Sequence, residues 1–261
     1  MAATARAEAA ATAALHAAAL ALSVADRDVR WEADARPHLI PWPDATVSVK
    51  VSPESGRIDL NRAPRELLVG LFEQYVPMAT AEALADAVVD WRDADDDPQP
   101  AGAEADDYAR ARYGYAPANG VFNTVGELRR VLGFDTRLVE RLSPYLTVYS
   151  GRPRINLMSA DLVALLSVPD IDADTAAALM AQRERVLLDG GRMDLSEFPE
   201  GRKYLEARPN DTVLSIDIDV RLDDGLRRRE RAVIRLNRAR LYTLLARETR
   251  ATGLQPAAAQ P

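Results

Sequence analysis

Eight carboxylates stand between Asp90 and Asp107: Asp90, Asp93, Asp95, Asp96, Asp97, Glu104, Asp106 and Asp107. Arg92 is the one cation among them. Eight negative charges less one positive leave -7, the formal charge of the whole chain. The remainder is therefore balanced, and the excess sits in one loop. Carboxylates at this density repel one another and oppose compaction unless something neutralises them. Calcium takes roughly six to eight oxygens from carboxylates, carbonyls and water. Asp93-Ala94-Asp95-Asp96-Asp97 offers carboxylates on both sides of a turn, and Glu104, Asp106 and Asp107 return after the Pro98-Gln99-Pro100-Ala101-Gly102 bend. Asn119 adds an amide oxygen from the Ala118-Asn119-Gly120 turn. The spacing is not that of an EF-hand. Two readings fit: a site for a hard divalent cation, calcium before magnesium, and a solvated, mobile acidic loop, the usual fate of a charge run.

Other chemistry has little to draw on. The chain has no cysteine and two histidines, His16 and His38, which argues against thiolate chemistry, a disulfide framework and a His-based metal site or triad. No phosphate-cradling glycine loop appears. Two carboxylates at a controlled separation would serve a glycosidase, but a sequence does not show separations. The expectation is no catalytic residue and no enzyme.

The elements that must hold the acidic loop follow from periodicity. An Ala-rich segment, too short in apolar residues to span a bilayer, predicts an amphipathic helix over 2–30. Its stripe uses Leu15, Leu22 and Val29 at heptad spacing, with Ala18 and Ala19 between. A proline-punctuated connector follows at 37–43. Strands are expected at 46–51 and 57–60, joined by the Pro53-Glu54-Ser55-Gly56 turn. Helices are expected at 64–74, 79–92, 125–132, 136–143, 159–167, 172–189 and 196–205. Thr80 and Ser159 are candidate N-caps, and Thr124 with Glu127 fits a capping box. Strands return at 212–222 and 229–236 around Asp223-Asp224-Gly225, with 241–246 as a last strand or short helix. The Pro/Ala/Gln-rich end is expected to be disordered. Strands from both ends that share one antiparallel sheet, with helices inserted between them, make an α+β fold.

The insert contains a repeat. Ile58-Asp59-Leu60-Asn61-Arg62-Ala63 is echoed by Ile155-Asn156-Leu157-Met158-Ser159-Ala160, each followed by two helices. The form is that of a helix-hairpin-helix module, the basis of a second reading as a nucleic-acid-binding protein. Against it, the second hairpin, Val168-Pro169-Asp170-Ile171-Asp172, carries carboxylates where a phosphate would lie, and the chain is acidic. Asn61 and Asn156 are expected to bond local backbone at the helix starts. The cluster Arg227-Arg228-Arg229 with Arg231 reads either as a phosphate or partner site or as charge guarding an edge strand. Trp31, Trp42 and Trp91 read as packing anchors.

Four blocks in order resemble the K-type minor pseudopilins of bacterial type II secretion systems: Ser55 to Pro64, Asp90 to Asp97, Gly102-Ala103-Glu104 with Asp106-Asp107-Tyr108, and Tyr145 to Ser150. The resemblance covers roughly 42–247. It implies a type IV pilin-like fold, an N-terminal helix packed on an antiparallel sheet, with a large inserted α-helical domain. The domains are then 1–61, 62–208 and 209–250, with a disordered tail at 251–261. It implies a place at the tip of the pseudopilus, assembly with I-type and J-type minor pseudopilins, initiation of pseudopilus assembly, contact with secreted substrates and no nucleic-acid partner. By matching position it implies calcium ligands among Asp93, Asp95, Asp97, Glu104, Asp106 and Asp107. Leu15, Ala18, Leu22 and Val29 are the expected partner-binding residues. The prepilin cleavage site and apolar first half of the family's helix are not in this sequence. The chain is thus expected to be the soluble, periplasmic part of a protein anchored in the inner membrane. Met158-Ser159-Ala160-Asp161 departs from the family's Asn-Thr-Ala-Pro at the second repeat.

Overall fold

The computed structural model describes residues 2–26, 28–189, 192–196, 198, 200–207, 211–237 and 239–254. In chain order the elements begin with α1 (Ala2–Ser23), β1 (Pro37–Trp42) and β2 (Ala45–Pro53). Then come β3 (Ile58–Asp59), α2 (Arg65–Phe72), α3 (Met78–Arg92), α4 (Ala105–Arg110), α5 (Thr136–Leu142), β4 (Leu146–Thr147), β5 (Ile155–Asn156), α6 (Leu162–Leu166), α7 (Ala173–Asp189) and β6 (Leu205–Glu206). The chain closes with β7 (Val213–Leu222), β8 (Leu226–Asn237) and β9 (Leu241–Leu254). Two compact units result: Met1–Glu54 with Asn210–Pro261, and Ser55–Pro209.

The first unit is a pilin-like stem. Its sheet runs β1-β2-β7-β8-β9, antiparallel throughout, so β2 from one end of the chain pairs with β7 from the other. Alternation sends Val47, Val49 and Val51 of β2, and Ile216, Ile218 and Val220 of β7, to one face. There α1 lays Ala7, Ala11, Ala14, Leu15, Ala18 and Leu22 on them, in one buried cluster. Alanine at the contact lets helix and sheet approach closely. The helix ends at Ser23 rather than Arg30. The chain turns back there, and the Trp31 N–H donates to the Ala21 carbonyl at 3.1 Å.

The edges of this sheet are β1 and β9, not the arginine-rich strand. Arg227, Arg228, Arg229 and Arg231 lie on β8, so edge protection does not explain them. Arg227 pairs with Asp219, Arg228 with Glu230, and Arg231 with Glu54 and Ser215. Across the sheet Lys50, Asp217, Arg231 and Glu248 fall in one row of alternating sign, which stabilises the register. At the β1 edge, Pro37 and Pro41 remove two backbone donors.

The second unit is helical and starts at Ser55, not at 62. Ile58–Asp59, expected as a stem strand, instead pairs in parallel with β4. The tail expected to be disordered is strand as far as Leu254, and residues 255–261 lie outside the described residues. The helix expected over 196–205 is, among the described residues, a 3-10 turn at Gly201–Lys203 running into β6. That over 125–132 is a 3-10 helix, Val125–Arg130.

Both repeats are built alike. In the first, β3 pairs with β4 and the Leu60 N–H donates to the Thr147 carbonyl at 2.9 Å. In the second, β5 pairs with β6 and the Leu157 N–H donates to the Glu206 carbonyl at 2.8 Å. A helix pair follows each, α2 with α3 and α6 with α7. The two repeats meet where Gly70 of α2 faces the Ser167 carbonyl so closely that a Cβ would overlap it. Gln74 seals the contact, its amide donating to the Val163 carbonyl at 3.1 Å and to Ser167 Oγ at 3.1 Å.

Candidate metal centre

The acidic loop leaves α3 at Arg92 and is anchored before its charges begin. Asp90, one turn earlier, is fully buried. Its Oδ1 accepts from the Gln99 N–H at 3.0 Å and its Oδ2 from the Ala103 N–H at 2.7 Å. Gly102 lies against that carboxylate, where any Cβ would collide. Asp86 Oδ2 accepts from the Ala101 N–H at 3.1 Å. Asp86 and Asp90 therefore fold the Pro-Gln-Pro-Ala-Gly bend back onto α3. Burial still raises the Asp90 carboxyl above its ordinary range, against the lowering effect of those two donors, with Asp86 and Asp95 adding to the rise.

The far limb begins a helix that the sequence reading did not expect, α4. Glu104 is its N-cap residue, and Asp106 and Asp107 fall in its first turn. Carboxylates are favoured at a helix N-terminus for their interaction with unpaired N–H groups and the helix dipole. Asp107 is committed to that work. It accepts from the Glu104 N–H at 3.1 Å and pairs with Arg110. Those contacts hold its carboxyl below the usual range, the Glu104 N–H first and Arg110 second. Asp106 and Asp97 are exposed. Asp95 Oδ1 accepts from the Asp97 N–H at 3.1 Å in a local turn.

A different set of oxygens is buried without any hydrogen-bond partner: Asp93 Oδ1, both carboxylate oxygens of Glu104, and Asn119 Oδ1. Asn119 sits in the left-handed region at φ 44°, which asparagine tolerates. Its amide nitrogen donates to Asp96 Oδ1 at 2.9 Å and to the Asp95 carbonyl at 3.3 Å. The next residue, Gly120, donates its N–H to the Trp91 carbonyl at 3.2 Å. These bonds tie the 119–120 turn to the acidic loop. Glu104 is pushed up to about 7, by burial first and then by Asp90, Asp93, Asp96 and Asp95. Asp93 is raised by burial, then by Asp95 and Asp90. Leaving such groups buried and unpaired costs about 1–3 kcal/mol each, more when charged.

Of the six expected ligands, Asp93 and Glu104 are therefore turned inward with unsatisfied oxygens. Asp95, Asp97, Asp106 and Asp107 are exposed or already engaged. Among the described residues no three His, Asp or Glu side chains converge as a ready metal site. The oxygens present are carboxylate and amide, a donor set that suits a hard cation. Asn119 is the member that a search for carboxylates alone passes over. Its signal in the sequence is the Ala-Asn-Gly turn.

Beneath the loop, Trp91 is buried, stacked on Phe122 with centroids 6.0 Å apart. Asn61 holds Phe122 in place, its Oδ1 accepting from the Phe122 N–H at 2.7 Å and its Nδ2 donating to the Phe122 carbonyl at 2.9 Å. Asn61 thus bonds backbone far along the chain rather than its own helix start. The caps also differ from expectation. Met78 follows Pro77, so Thr80 lies inside α3, and Asp161 rather than Ser159 caps α6, accepting from the Ala164 N–H at 2.8 Å. Thr124 makes no side-chain cap, and Glu127 accepts from the Asn123 N–H at 3.2 Å.

The expected partner-binding stripe is also relocated. Leu15, Ala18 and Leu22 are buried against the stem's own sheet, and Val29 lies beyond the end of α1, exposed. The outward face of α1 is Ala5, Ala9 and Leu20, with Leu20 61% exposed, while the exposed His16 ring meets Tyr242 of β9 at 5.7 Å between centroids. No helix among the described residues is long and apolar enough to cross a membrane.

Residues 55–151 match the family model described as type II secretion system (T2SS), protein K. Type II secretion system protein K of Dickeya chrysanthemi is 34% identical over 175 residues, 62% of this chain and 47% of that protein. The protein of the same description from Pectobacterium carotovorum is 38% identical over 112 residues, 41% of this chain and 34% of that protein. The chain spans under half the length of both relatives. A chain of the GspK-GspI-GspJ complex from the enterotoxigenic Escherichia coli type 2 secretion system shares the fold, with a TM-score of 0.68, 20% identity and 93% of each chain covered. The family match lies in residues 55–151, the part that carries the acidic loop, and over it the chain is similar to protein K of type II secretion systems.

Proposed function

We propose that this protein is a minor pseudopilin that caps the tip of a type II secretion pseudopilus. It assembles there with I-type and J-type minor pseudopilins to initiate the filament and support protein export across the outer membrane. Its work is assembly rather than catalysis, on the periplasmic face of the inner membrane. The observation that carries this reading is the split stem. One antiparallel sheet, made from both chain ends beneath α1, is interrupted by a helical unit of two repeats. The same arrangement occurs in a chain of a complex of proteins K, I and J.

On this reading α1 is the docking element, and its outward face, Ala5, Ala9 and Leu20, meets the partner helices. The acidic loop binds calcium through Asp93 and Glu104 with the Asn119 amide oxygen. Backbone carbonyls, water and the nearby Asp95 and Asp96 complete the shell. What supports this is the set of buried, unpartnered oxygens. A bound ion would neutralise the loop's charge and hold the limb from 93 to 97 against the start of α4.

Co-expression with the I-type and J-type pseudopilins from the same genome tests the assembly reading. The wild-type chain should co-purify with both, and Leu20→Arg should weaken capture with an unchanged melting temperature. Failure of the wild-type chain to associate with either protein would overturn it.

A further inference from the structure

The two repeats leave a groove between them on the helical unit, and none of the carboxylates from Asp90 to Asp107 lines it. One wall is the outer face of α2, and the other is the α6–α7 hairpin, 167–172. Its volume is about 450 Å³. The floor is apolar, made by Val69, Leu166 and Met78, and Met78 is 52% exposed although it opens a helix in a well-packed unit. The rim is acidic. Glu66 on α2 and Glu73 at its C-cap stand two turns apart, and Asp170 and Asp172 line the opposite wall, all four exposed. Asp170 is held in the left-handed region at φ 63°. Arg65, the one cation among the described lining residues, is already paired with buried Asp86. The Tyr204 phenol is pushed up by burial first, then by the charge of Glu66, against the lowering effect of Lys203, with Glu200 and Asp170 adding to the rise.

We propose that this groove is a docking site for a cationic amphipathic segment of a partner protein, with apolar side chains on the Met78 floor and Lys or Arg against Glu66, Glu73 and Asp170. Charge complementarity selects that occupant. The same hairpin position that grips phosphates in nucleic-acid-binding helix-hairpin-helix modules here presents carboxylates, so it repels a polyanion. An apolar floor inside a charged rim matches the helix-in-groove mode of peptide recognition. The rim sets selectivity by repelling acidic segments.

The test is fluorescence anisotropy with a labelled helical Lys/Leu peptide, its Glu/Leu counterpart and a short DNA duplex, at physiological ionic strength. The wild-type chain should bind the Lys/Leu peptide and neither of the others. Glu73→Lys with Asp170→Lys, both on exposed side chains, should weaken binding by about tenfold or more, and Met78→Ser by a smaller factor. A variant with Asp95→Asn, Asp96→Asn and Asp97→Asn should bind as the wild type does. Three results would each overturn the proposal: no binding of the Lys/Leu peptide, equal binding by the Glu73/Asp170 variant, or loss of binding on neutralising the acidic loop.

Discussion

Arg92 and Arg183 hold equivalent places in the two repeats. Arg92, at the end of α3, donates to the carbonyls of Leu60 and Ala63, the latter at 2.7 Å. Arg183, within α7, donates to the carbonyls of Leu157 and Ala160, at 3.2 and 2.6 Å. Arg92 forks Nη1 and Nη2 onto its two carbonyls and Arg183 reaches the equivalent pair from Nη1 alone, each at the turn between a short strand and a helix. Both side chains lose charge stabilisation through burial, which lowers their pKa from the ordinary arginine value. At Arg92 two nitrogens of the planar guanidinium serve the two carbonyls, a geometry that a lysine ammonium does not reproduce.

Arg92→Met should therefore destabilise the helical unit by about 2–4 kcal/mol, because two carbonyls lose charged donors. Arg92→Lys should recover only part of that. Urea denaturation followed by the fluorescence of buried Trp91 measures it, and a loss below about 1 kcal/mol would rule out the clamp as a major support.

Gly70→Ala should be costly despite alanine's better helix propensity. A methyl at Gly70 meets the backbone carbonyl of Ser167, which has no free rotation with which to yield. Forcing α2 and α6 apart should cost about 1–3 kcal/mol. A melting temperature equal to or above that of the wild type would show that the repeats do not need this close approach.

Calcium should raise the melting temperature, since a ligand bound only by the folded state stabilises it by mass action. Glu104→Gln should abolish most of that rise, and Asn119→Ala should reduce it. Asp106→Asn should leave it intact, because that side chain is exposed at the first turn of α4. Calorimetry that finds Asp106→Asn as damaging as Glu104→Gln would discard this ligand assignment.

The metal-free chain should lose stability as pH rises. Glu104 is raised from 4.5 to about 7 in the folded state, so between those values the folded chain binds more protons than the unfolded one. Its contribution is present below about 4.5 and is lost as pH rises through 7. The loss should appear as a melting temperature lower by several degrees at pH 8 than at pH 5.5. Calcium competes with the same proton, so its affinity should increase over that interval. A metal-free melt that rises with pH across this window would contradict the burial of Glu104.

Leu15→Arg and Leu20→Arg should separate folding from docking. Leu15 is 2% exposed against the sheet, and removing such a side chain from its apolar site costs about 2–5 kcal/mol before the charge is counted. Leu15→Arg should unfold the stem, as read by circular dichroism, while Leu20→Arg should not. Equal melts for the two variants would mean that the buried face of α1 is misassigned.

Much of the architecture was legible in the residues. Alternation at 212–222, the Asp223-Asp224-Gly225 turn and the Ile58/Ile155 echo led to β7, the β7–β8 hairpin and the two repeats. The resemblance of four blocks pointed to the family whose model matches residues 55–151. The apolar stripe of α1 was legible, since Leu15, Ala18, Ala19 and Leu22 are buried on the sheet, but its assignment to partner proteins was not, and its longest spacing, Leu15-Leu22-Val29, ran past the true helix end. Nor were the caps. Thr80 and Ser159 are good capping residues in isolation, but Pro77 starts α3 earlier and Asp161 starts α6 later.

Charge, composition and local periodicity belong to neighbours along the chain, and the sequence alone settled them: an acidic loop, no thiol chemistry, and helices inserted among strands. Which carboxylate is free was decided only in three dimensions. Asp90 is consumed by the N–H groups of Gln99 and Ala103, Asp107 by the start of α4, and Asp93 and Glu104 are left over. Asn61 meets Phe122, and Gly70 meets Ser167, across separations that no local pattern encodes. The physical reason is that burial and hydrogen bonding depend on the path of the whole chain, while propensity and charge do not.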